Sequence, residues 1–126
     1  MQIALKVLVG LIGLLLGSLG MRWMFAPVNV AAELGISLGN EVALNTARGD
    51  LGGLFLAGAL LCAVGIARND GRWLQALALF LGCVASGRAV GILADGFTSQ
   101  AAVSIAVELV MLTVLLLAAG RMKNAP

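Results

Sequence analysis

The chain has 126 residues and 12.8 kDa; 61% of them are hydrophobic and 11% charged, and mean hydropathy is +1.07. A soluble domain carries about 25% charged residues, and a sphere this small has too much surface to hide so much apolar side chain, so the composition excludes a water-soluble globule and implies an integral membrane protein. A formal charge of +2 with no basic run gives no footing for nucleic acid, and the absence of His removes imidazole metal ligation and imidazole acid–base catalysis.

The uncharged run from Val7 to Met21 is flanked by Lys6 and Arg22, which can snorkel to head groups. Crossing a bilayer takes about 20 apolar residues, so Ile3 and the Trp23–Phe25 flank must enter the interface, which predicts a span over 3–25. Lys6 with Ser18 and Gly20 also fits a weak signal-peptide pattern, but a retained helix is the expectation. Ala26 to Thr46 is the only long connection. Pro27 stops the first helix, Asn29 predicts a cap for a short helix Val30–Leu34, and Gly35 ends it. A second amphipathic piece is expected over Asn40–Ala47. Two readings stay open: a helical lid lying on the membrane, or an ordinary surface loop. Spans follow over 49–67, with Asp50 favoured at the helix N-terminus, over 73–94, interrupted by Arg88, and over 100–120, interrupted by Glu108. The expected fold is all-α, a four-helix membrane bundle occupying residues 1–126 as one domain, with a short helical outer loop between the first two spans.

Loop charge sets the expected orientation. Lys6, Arg68, Arg72, Arg121 and Lys123 share one side, while Arg22 and Arg48 share the other with Glu33 and Glu41. Basic residues favour the cytoplasmic side, which predicts both termini in the cytoplasm. Trp23 and Trp73 then fall at opposite interfaces, as an aromatic belt places them.

Gly10, Gly13, Gly17 and Gly20 line one face of the first span, and Gly53/Ala57 and Gly87/Gly91 form small-xxx-small pairs on the second and third. In lipid, small residues let backbones approach closely. Packing within the chain is the favoured reading, and dimerisation through the first span the minor one. Cys62 and Cys83 have no CxxC spacing and read as core filler, with no metal or disulfide role.

Arg88 lies six residues from Ala94, roughly 9 Å deep, and Glu108 lies seven after Ala101, roughly 10 Å deep. Opposite charges at one depth on consecutive antiparallel helices predict a pair, because an unpaired charge there costs at least ~2.5–3.5 kcal/mol. Asp95 shares the Arg88 face, Ser104 shares the Glu108 face, and Arg48 and Asp50 begin the second span. Arg48, Asp50, Arg88, Asp95 and Glu108 are therefore expected to converge at the outer mouth, with Arg22 near them. Two readings are open: a buried salt-bridge brace, or a polar pocket in which Arg48 holds a phosphate or carboxylate head group. The Arg48-Gly49-Asp50 triplet at such a position carries no integrin-type meaning.

The string Asn45-Thr46-Ala47-Arg48-Gly49-Asp50-Leu51-Gly52-Gly53-Leu54-Phe55, followed by Gly87-Arg88 with Gly91 and by Glu108, resembles a family of small bacterial membrane proteins of unknown function related to the DoxX/DoxD-like four-helix proteins. Trp23-x-Phe25-x-Pro27 fits as well. The resemblance implies a four-helix inner-membrane bundle and no activity. With no redox-active cysteine pair here, no redox role is carried across.

No nucleophile–base pair and no metal constellation stands out, so a non-catalytic protein is expected, with no cofactor. It would bind membrane lipid or a small ligand, or act as an auxiliary subunit with a membrane-protein partner or a second copy of itself. The alternative is a small homodimeric transporter, proton-coupled through Glu108.

Overall fold

The computed structural model describes residues 2–122, so Lys123, counted above in the loop charge, lies outside the described residues. Helix α1 runs Gln2–Phe25, α2 Pro27–Glu33 and α3 Glu41–Thr46. A π-helical turn, Ala47–Gly52, leads into α4 at Gly53–Arg68, followed by α5 at Gly71–Asp95 and α6 at Ser99–Ala119. Among the described residues there is no strand, and four helical stretches are long and apolar enough to cross a membrane. The protein is a small multi-pass membrane protein built as an all-α bundle.

The helix that carries the second span starts before residue 49. It is a continuous helix, Glu41–Arg68, because Thr46, Ala47, Gly52 and Gly53 all keep right-handed helical backbone through the π turn. Its true N-cap is Asn40, whose side chain accepts the Ala43 N–H at 2.9 Å. At ~1.5 Å per residue its 28 residues span about 42 Å, longer than a hydrocarbon core of about 30 Å. Asp50 is therefore inside a helix and gains nothing from a helix N-terminus. The short helix before it is also displaced: α2 begins at Pro27, the position where a missing N–H costs least, so Asn29 lies within the helix and caps nothing. Gly35, at φ +70°, ends it as expected.

Helix α1 lies against α4, α4 against α5, α5 against α6, and α6 against α1, which closes the ring. The Gln2 side chain donates to the Arg121 carbonyl at 2.8 Å, so both chain ends meet at one end of the bundle. That terminal end also holds the α4–α5 turn. Asn69 takes the left-handed conformation (φ 50°) that ends α4, and Asp70 caps α5 by accepting the Arg72 N–H at 3.0 Å. The Arg72 guanidinium pairs with the same carboxylate and holds the Asp70 carboxyl below its ordinary value of 3.8. A carboxylate with a depressed native value stabilises fully above its unfolded value and loses that contribution as pH falls through the native one. Stability of the native protein should therefore drop faster below about pH 3.8 than that of Asp70→Asn, which keeps a capping side chain but has no charge to lose. Parallel acid curves for the two would contradict the assignment.

The glycine face of α1 forms a seam inside the chain. A Cβ on Gly13 would meet the Cys62 Cβ at 3.0 Å, and one on Gly20 would meet the Leu56 backbone N at 2.9 Å and the Gly52 carbonyl at 3.0 Å. Gly20→Ala should thus force α1 and α4 apart, at a cost of about 1–3 kcal/mol in detergent unfolding. A neutral result would show that the seam yields freely. Gly10, Gly53, Gly87 and Gly91 meet nothing within 4 Å, so the pairs on the second and third spans are not seams. Cys62 is buried core as expected, whereas Cys83 is exposed. It falls outside the Leu74–Leu77–Leu81 stripe that α5 turns inward. Trp73 stays at the periphery, with the Arg68 guanidinium 6.0 Å from its ring centre. Trp23 does not face outward as a belt residue would: it is buried at 1% exposure, among Val30, Ala31 and Ala47.

Candidate ligand-binding site

The two halves of the bundle differ in packing. Toward the terminal end, Val9, Ile12, Leu74, Leu77, Leu115 and Ala118 fill the ring. Toward the other end, the inward stripe of α5 stops at Leu81, and the buried residues of α6 begin only at Glu108. The glycine seam keeps α1 and α4 together there, so the opening falls between that pair and α5–α6. A cavity of about 490 Å³ results, lined by side chains from all four long helices, from Leu51 of the π turn, and from Leu34 just past α2. This volume is within the ordinary range for small-molecule sites, roughly 300–1,000 Å³.

Its lining is almost wholly apolar. The polar residues on it are Arg88, Ser104 and Glu108. Arg88 Nε donates to Glu108 Oε1 at 2.7 Å, so the expected pair is present. The two partners are unequally covered: the Glu108 side chain is 9% exposed and that of Arg88 43%. The second carboxylate oxygen, Glu108 Oε2, is buried with no hydrogen-bond partner among the described residues, and so is Trp23 Nε1. A buried polar atom left unmatched costs about 1–3 kcal/mol. Both residues line the cavity, but these two atoms are themselves buried.

The other sequence candidates do not join this site. Arg48 donates to the Met24 carbonyl, tying the π turn to the end of α1, and does not line the cavity. Asp50 is exposed in the π turn, and Asp95 is exposed at the end of α5; neither lines the cavity. Arg22 pairs with Glu33 at 2.5 Å, which folds α2 back beside α1. The expected five-residue convergence is therefore reduced to Arg88 and Glu108. Asp95 shares the Arg88 face, but seven residues carry it about 10 Å further along the axis. Arg48 and Asp50 are placed by a helix that starts at Glu41, with a π turn shifting its register. Trp23 was missed, although the sequence carried the signal: Val9, Ile12, Leu16, Gly20 and Trp23 recur at three- and four-residue spacings and form the buried face of α1.

No curated protein and no solved structure matches the chain. The model of one family, a domain of unknown function (DUF4345), matches residues 4–119, and with nearly its whole length covered the chain belongs to that family.

Proposed function

We propose that the protein is a non-catalytic binder of a lipid-like molecule, held with its apolar part in the cavity between the α1–α4 pair and α5–α6 and its polar end at Arg88 and Glu108. The observation that carries this is a largely apolar cavity in a membrane bundle, with its few polar groups gathered from facing helices. Ligand sites have this composition: mostly apolar walls and a few placed polar groups. A carboxylate and a guanidinium that already hold each other are suited to orienting a ligand. The loop charge asymmetry supports cytoplasmic termini, and the family resemblance an inner-membrane location. The DoxX/DoxD-like resemblance is kept as a proposed distant kinship.

Native mass spectrometry in a mild detergent tests the reading. Wild-type protein should retain lipid. Val107→Phe, which adds bulk on the cavity wall, should retain several-fold less while its melting temperature stays close to wild type. Equal retention in the two would overturn the proposal. Proton-coupled uptake into vesicles that vanishes in Glu108→Gln would favour transport instead.

A further inference from the structure

Resting on the reading that the cavity binds a lipid-like molecule, we infer that the ligand's head group is an oxoanion, a carboxylate or a phosphate, held by the free end of the Arg88 guanidinium. Of the ion pair on the cavity wall, Arg88 is the partner a ligand can reach: its side chain is 43% exposed, against 9% for Glu108, whose second oxygen is buried. A guanidinium carries its N–H donors in a planar fork, and among the described residues Arg88 commits only Nε, to Glu108. The N–H groups on Nη1 and Nη2 are left for a ligand. Two of them, one on each nitrogen, lie parallel, the spacing that takes two oxygens of a carboxylate or phosphate. Ser104, one turn before Glu108 on the same wall, adds a hydroxyl. The hydroxyls of Ser18, Ser86 and Thr113 donate to the Leu15, Gly82 and Leu109 carbonyls of their own helices, whereas that of Ser104 bonds to no protein group among the described residues.

Charge favours an anion at that place although the pair as a whole is neutral. The carboxylate sits on the Nε side of the guanidinium, at 2.7 Å, so an oxoanion on the Nη end is nearer the positive partner than the negative one. Coulomb energy falls with distance, so the near guanidinium outweighs the far carboxylate, and a low-dielectric cavity enlarges the difference. Hydrogen bonds with an ionised partner are also roughly twice as strong as neutral ones, which favours the anion over an ester or an alcohol. A cationic head would meet the guanidinium first and be repelled. Arg48, the sequence candidate for this contact, is engaged by the Met24 carbonyl and lies off the cavity.

Three probes sharing one oleoyl chain test this: oleate, oleoyl lysophosphatidic acid, and methyl oleate, which offers a neutral acceptor. At alkaline pH, with both acids ionised, at least one anion should bind full-length protein in detergent about tenfold tighter than methyl oleate, as one charge-assisted hydrogen bond supplies. The tighter of the two anions identifies the head as carboxylate or phosphate. Arg88→Lys keeps a cation for Glu108 but loses the fork, and should reduce the preference for that anion several-fold. Ser104→Ala leaves the ion pair intact and should reduce it by a smaller factor. Methyl oleate binding as tightly as both anions, or a preference undiminished in every variant that melts cooperatively, would overturn the inference and leave the lipid-binding reading standing. Binding of none of the three, in wild-type protein that melts cooperatively, would overturn both.

Discussion

Arg88→Met should destabilise the protein by about 3–5 kcal/mol, the range for breaking one side of a buried ion pair. The loss arises from what is left behind. Among the described residues Glu108 has one oxygen on Arg88 and the other on no partner, and its side chain is 9% exposed, so the substitution strands a whole carboxylate. Glu108→Gln should cost less, because Arg88 is 43% exposed and its long chain can carry the charge elsewhere. The double variant, Arg88→Met with Glu108→Gln, should be more stable than Arg88→Met alone. Equilibrium unfolding in mixed micelles measures the cycle, and additive losses would reject the coupling.

Gly71→Ala should be comparably damaging for a different reason. A Cβ there would run into the Ala119 carbonyl oxygen, and would lie 2.9 Å from the Ala119 Cα and 3.0 Å from its carbonyl carbon. All three obstacles are backbone, so no side chain can swing aside, and the start of α5 must separate from the end of α6. Overpacking costs about 1–3 kcal/mol where neighbours can adjust, and this site should reach or exceed the upper figure. Gly91→Ala is the control. A Cβ there would meet no described atom within 4 Å beyond its own helix, so the change should be neutral or stabilising by up to about 1 kcal/mol through helix propensity. Equal melting temperatures for the two variants would show that the α5–α6 contact is not tight.

The helical content and the number of spans were legible because length, hydropathy and charge-free runs constrain them directly. The Arg88–Glu108 pair was legible too, since depth follows from rise per residue on two regular helices. What failed depended on where a helix begins. Reading the Arg48-Gly49-Asp50 segment as a helix start placed both charges at the mouth, yet Asn40 caps a helix that starts earlier and passes through these residues as a π turn. Glycine spacing alone could not separate packed from open faces: Gly13 and Gly20 abut α4, while Gly87 and Gly91 meet nothing. Trp23 shows the same limit. Its place next to Arg22 suggested a membrane interface, and only the fold-back of α2 covers it with Val30 and Ala31.

The most direct test of a lipid-binding cavity is photo-crosslinking in proteoliposomes. A fatty acid carrying a diazirine in its acyl chain would be incorporated, irradiated, and its adducts mapped by peptide mass spectrometry. Bulk lipid will label outward residues such as Leu79 and Leu93, at 72% and 87% exposure, in any case. The structure predicts additional adducts on cavity-wall residues that bulk lipid does not reach, above all Leu16 and Leu81, at 3% and 4% exposure, competed away by excess unlabelled oleate. Adducts confined to outward-facing residues, unchanged by competitor, would contradict it.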